Sequence, residues 1–132
     1  MHRNPSRPMS PHLTIWKWGP HMLVSILHRI TGAGLALVGG AVLIWWLAAA
    51  AGSAESYTTF MGWARGRIGL VFAIGLTWAF FQHALSGVRH LVMDIGAGFE
   101  LKTNKGWSLA TTLGALVLTA GFWVYLLFGR GA

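Results

Sequence analysis

Cysteine is absent from this chain, and acid is nearly so: three Asp and Glu stand against ten Lys and Arg in 132 residues. Without cysteine the chain can form no disulfide, no Cys-ligated zinc site and no iron–sulfur cluster of its own. Charge of either sign is scarce, at 10% of residues, where a soluble domain carries about a quarter. The deficit is concentrated. Residues 30–52 and 107–129 contain no charged side chain, and residues 68–88 have only Gln82 and His83 as strongly polar members. A helix needs roughly 20 mainly apolar residues to cross a hydrocarbon core of about 30 Å. The pattern therefore predicts an all-α membrane protein with three transmembrane helices.

The net charge of +7 would suggest nucleic acid in a soluble protein. Here the basic residues flank apolar spans and form no stripe on a soluble face, so a nucleic-acid partner is excluded and membrane lipid is the implied surroundings. Residues 1–20 are polar and contain Pro5, Pro8, Pro11 and Pro20, with no apolar core followed by a small-residue cleavage site. The first span is therefore expected to direct insertion itself.

The chain reads as one membrane-anchor unit, 1–132. An arm at 1–20 is too broken by proline for a long helix, and Ile15, Trp16 and Trp18 suit the headgroup layer. Helix I is expected at about 21–51, helix II at about 60–91 and helix III at about 107–128, with a polar loop at 94–105 between the last two. Three spans place the arm and that loop on one face. Arg3, Arg7, Lys17, Arg29, Arg89, Lys102 and Lys105 lie there, against Arg65, Arg67 and Arg130 opposite. Seven to three predicts the N-terminus inside. Gly32, Ala36 and Gly40 recur every fourth residue, which predicts a small-residue ridge for close helix packing.

Ionisable groups inside spans are expensive, so each is a functional candidate. Helix I opens with Ser25, His28 and Arg29, in which Ser25 and Arg29 share a face four residues apart. Helix II closes with His83, Arg89 and His90, the histidines two turns apart on one side with Ser86 and Gly87 between them. Both clusters are expected at the same membrane side. His83 lies roughly 9 Å inside the apolar run, at about 1.5 Å per residue, and needs a partner there. Either a hydrogen bond to a neighbouring helix or ligation of a metal, above all haem iron, would satisfy it. Arg29 either snorkels to the interface or, with Ser25, meets a carbonyl or acidic ligand.

Three strings then stand in order: Arg7-Pro8-Met9-Ser10-Pro11-His12-Leu13, Ser25-Ile26-Leu27-His28-Arg29-Ile30-Thr31-Gly32, and His83 through Asp94 as H-x-x-x-G-x-R-H-x-x-x-D. In order and spacing the chain resembles the cytochrome b membrane-anchor subunit of succinate dehydrogenase, respiratory complex II. Met9 stands where leucine is common and Trp16 where tyrosine is usual. The resemblance implies that His83 is an axial ligand of haem b, shared with a histidine of a second membrane-anchor subunit. It implies that Ser25 and Arg29 line a ubiquinone site facing the iron–sulfur subunit, and that His28 and Arg29 lie near the haem propionates. Succinate oxidation would belong to the flavoprotein subunit. The implied location is the bacterial cytoplasmic (inner) membrane, ahead of the mitochondrial inner membrane. Three rivals remain: a small proton-conducting or transport bundle, a self-contained b-type cytochrome with His28 and His83 on one haem, and a haem-free structural anchor.

Overall fold

A computed structural model of the chain describes Ser6 and residues 17–129. The Arg7–Leu13 string, Arg3 and Arg130 lie outside the described residues. Four helices are present among them: α1 (Pro20–Ala51), α2 (Ala54–Arg65), α3 (Arg67–Asp94) and α4 (Leu101–Phe128). Helices α1, α3 and α4 are each long and apolar enough to cross a membrane, and they are the three expected spans. No strand occurs among the described residues.

Helix α1 starts where proline is tolerated, after Gly19 in extended conformation. A π-helical turn at Leu35–Gly39 interrupts it. Helix α2 is a separate element where the sequence suggested a loop running into one long helix. Ser53 caps it, accepting a hydrogen bond from the Ser56 backbone N–H at 3.1 Å. Extended backbone at Gly66 (ψ 167°) ends it, and α2 folds back over the bundle end. Trp45 packs against Phe60 and Trp63, with ring centroids 5.0 Å apart in each pair. A Cβ on Gly69 would lie 2.3 Å from the Trp63 carbonyl oxygen, so the two helices can meet only over glycine there.

At the other end, α3 closes in a Schellman motif. Gly96 adopts φ +85°, and the N–H groups of Gly96 and Ala97 bond the carbonyls of Met93 and Val92 at 2.9 and 3.2 Å. Helix α4 begins at Leu101, six residues before its apolar run, so Lys102, Asn104 and Lys105 are helical.

Helix α3 packs most extensively on α4 and then on α1. The interior is small and polar: Thr31, Gln82, Ser86, Arg89, Ser108, Thr111 and Thr119 are buried, while Leu37, Val71 and Val117 are about 70% exposed. That inversion suits lipid as solvent, because hydrocarbon rewards no separation of apolar side chains from their surroundings and small residues let backbones approach. The hydroxyls satisfy themselves locally. Ser108, Thr111 and Thr119 each donate to the carbonyl four residues earlier at 2.7–2.8 Å.

The glycine ridge holds only in part. Gly32 faces α3 and Gly39 faces Leu76, whereas a Cβ on Gly40 would meet nothing within 4 Å, and Ala36 is exposed. The π-helical turn at Leu35–Gly39 lies between Gly32 and Gly40 and shifts the register of the row, so its members do not face one neighbour.

Candidate functional site

The two sequence clusters meet. The His28 ring stacks on His83 with centroids 4.0 Å apart and planes 8° from parallel, and it contacts His90 at 4.6 Å. Helix α1 thus presents one imidazole between two on α3, across more than fifty residues of chain.

The acceptors decide where the hydrogens sit. His83 Nδ1 lies 3.1 Å from the His28 backbone oxygen. A carbonyl only accepts, so Nδ1 carries the hydrogen and donates it, with the Thr31 hydroxyl more distant at 3.4 Å. His90 Nδ1 likewise donates to the Ser86 carbonyl at 2.8 Å. The Ser86 hydroxyl donates to the Gln82 carbonyl at 2.7 Å and accepts from His28 Nδ1 at 2.6 Å. In its neutral form each imidazole would commit its N–H to protein and leave Nε2 with a lone pair. Among the described residues His83 Nε2 has no hydrogen-bond partner. A histidine held by a backbone carbonyl through one nitrogen, with the other nitrogen free, is the arrangement metal-ligating histidines adopt.

Gly32 creates the space. A Cβ there would stand 2.8 Å from His83 Cε1, so any larger residue displaces the ring. The glycine that closes the Ser25–Gly32 string thus touches the histidine that opens the His83–Asp94 string.

The parallel stacking also limits the chemistry. Two imidazoles that bind one metal ion from opposite sides would be held apart by it. His28 and His83 instead lie face to face. Among the described residues, no group of three or more His, Cys, Asp or Glu is arranged to hold a metal ion. His28 and His83, as stacked, therefore do not flank a single metal ion.

Beside this stack, at the open end of α1 and α3, lies a cavity of about 520 Å³. Ser25 and Arg29 line it, as their shared face anticipated, together with Trp18, Ile26, Arg89, His90 and Asn104. His28 is not among its lining residues. Arg89 is buried, and its Nη2 donates to Asn104 Oδ1 on α4 at 2.6 Å. Asn104 carried no signal in the sequence, because nothing local to it indicates an arginine fifteen residues away. Gln82 is fully buried with neither amide atom hydrogen-bonded among the described residues. The sequence marked it as polar but not as interior.

Residues 3–122 match the family of succinate dehydrogenase/fumarate reductase transmembrane subunits. The chain is 40% identical over 114 residues to the succinate dehydrogenase cytochrome b556 subunit of Paracoccus denitrificans, covering 86% of each chain. It is 34% identical over 118 residues to the subunit of that name from Rickettsia conorii, covering 89% of this chain and 91% of the relative. The mitochondrial cytochrome b560 subunit of Mus musculus is 39% identical over 100 residues, covering 73% of this chain and 57% of the relative.

Proposed function

The chain belongs to the succinate dehydrogenase/fumarate reductase transmembrane-subunit family, and from that premise we propose that it is the haem b-binding membrane anchor of a succinate:ubiquinone oxidoreductase. In this reading it holds the flavoprotein and iron–sulfur subunits at the inner membrane face and pairs with a second membrane-anchor subunit. The observation that carries it is His83, fixed through Nδ1 and presenting Nε2, beside a cavity lined by Ser25 and Arg29. The bacterial relatives favour the cytoplasmic membrane as its location.

His83 would hold the haem iron, with the His28 carbonyl orienting its ring and Gly32 leaving it room. The face-to-face stack of His28 on His83 speaks against a self-contained cytochrome with both on one haem; a histidine of the second anchor subunit would then supply the other ligand. A bound haem supplies a one-electron centre whose potential depends on its axial ligands and burial. Arg29 would pair with a propionate. Neutral His28 has its N–H engaged by Ser86, and it can join Arg29 there only when Nε2 is protonated.

In the cavity, the Ser25 hydroxyl and Arg29 guanidinium are donors to a ubiquinone carbonyl. A donor aimed at oxygen is worth more as negative charge develops there during reduction. A proton-conducting bundle is disfavoured, since no Asp, Glu, Lys, Arg or His lies between Ile30 and Ala51, between Ile68 and Gln82, or between Gly106 and Phe128.

The test is quinone-dependent turnover divided by artificial-acceptor turnover, in membranes with equal assembled complex. A hydrogen bond from a charged donor contributes about 1.5–3 kcal/mol and a neutral one about 0.5–1.5. Arg29→Ala should therefore lower the ratio at least tenfold, and Ser25→Ala less. An unchanged ratio in both variants would remove the quinone role.

The N-terminus-inside orientation makes a separate prediction. Thr58 on α2 and Ala97 after α3 are both exposed and lie at opposite ends of the bundle. An impermeant maleimide added to intact cells should label Thr58→Cys and spare Ala97→Cys. The reverse pattern would invert the topology.

A further inference from the structure

The cavity holds two arginines where the quinone reading employs one. Arg89 is only 5% exposed, and its Nε is buried with no acceptor among the described residues. Its bond to Asn104 ties α3 to α4, but a neutral amide offsets little of the charge and occupies one of several donors. The lining contains Arg29, Arg89, His21 and His90 and no Asp or Glu. A buried cation without a counter-charge is costly. A cavity built this way favours an occupant that brings negative charge.

We propose that Arg89, positioned by Asn104, is a second cationic wall of the quinone cavity, and that the cavity prefers quinoid ligands in their anionic form. The inference rests on the quinone reading of Ser25 and Arg29 and adds a specificity to it. Arg29 is exposed on its helix and must be ordered by its ligand. Arg89 is already held in place, and a donor that needs no reorganisation is the more effective electrostatic partner.

The experiment uses the assembled complex and two probes: a 2-hydroxy-1,4-naphthoquinone, a vinylogous acid ionised at neutral pH, and its uncharged 2-methyl ether. Each is titrated as a competitor of ubiquinone reduction. The wild type should bind the anion more tightly. Arg89→Gln should weaken the anion about tenfold or more, the scale of one charge-assisted hydrogen bond, and the ether by less than about threefold. Arg89→Lys should restore part of the loss. Asn104→Ala keeps the charge and loosens it, and should weaken the anion by an intermediate factor. That variant decides the matter if Arg89→Gln does not assemble. Equal weakening of both probes would make Arg89 purely structural, and no weakening of either would take it out of the cavity; both results overturn the proposal. Arg29→Ala is titrated in parallel. If it weakens both probes while the Arg89 and Asn104 variants bind normally, this inference fails and the quinone reading stands. If neither probe competes with ubiquinone in the wild type, the quinone reading fails with it.

Discussion

Replacing His83 by alanine is expected to change or abolish the low-spin b-type spectrum of the assembled complex. Of the three imidazoles it is the one that combines a carbonyl-fixed Nδ1 with depth within the span and, among the described residues, an unpartnered Nε2. On the proposed reading its removal takes away one of the two ligands of the haem, and spectrum and midpoint potential would report that directly. His90→Ala should retain the wild-type spectrum, because His90 lines the cavity instead. Added imidazole, small enough to enter the vacated space, should restore a low-spin spectrum to His83→Ala. Haem content alone is a poor readout, since His28 is stacked 4.0 Å away and can turn to substitute. A His83→Ala complex with wild-type spectrum and potential would overturn the ligand assignment.

The second large effect is expected at a residue with no side chain. In Gly32→Leu the new Cβ alone would stand 2.8 Å from His83 Cε1 and 3.3 Å from Nδ1. The imidazole must move, and its bond to the His28 carbonyl goes with it. Overpacking of a tight site costs about 1–3 kcal/mol, which should appear as a lower melting temperature of the complex. The diagnostic result is spectroscopic: the b-type signal should be lost or shifted, as in His83→Ala. Gly40→Ala, eight residues on with nothing within 4 Å of its Cβ, should leave both measurements unchanged. If Gly32→Leu destabilised the complex with an unaltered spectrum, the glycine would serve helix packing alone.

Much of this protein follows from where charge is missing. Three uncharged or nearly uncharged runs suffice for three spans, because each residue's transfer into hydrocarbon depends chiefly on its own side chain. The pairing of Ser25 with Arg29 on one cavity wall was equally legible, since an i, i+4 spacing on a helix is a purely local geometry. Their place as ionisable groups within spans put His83 and His28 among the candidates, but did not show how they touch. Their stacking, the Ser86 hydroxyl between α1 and α3, and the tie from Arg89 to Asn104 join residues 15 to 58 positions apart. No local pattern reports such a partner. The break at Gly66 was hidden for a related reason: residues 60–65 continue the helical pattern, and α2 folds back where Trp45, Phe60 and Trp63 collect. Periodicity shows that a helix has a face, but in lipid the contrast between apolar faces disappears. Which faces meet is then decided by the fit of small and polar side chains between helices, and only the tertiary structure contains it.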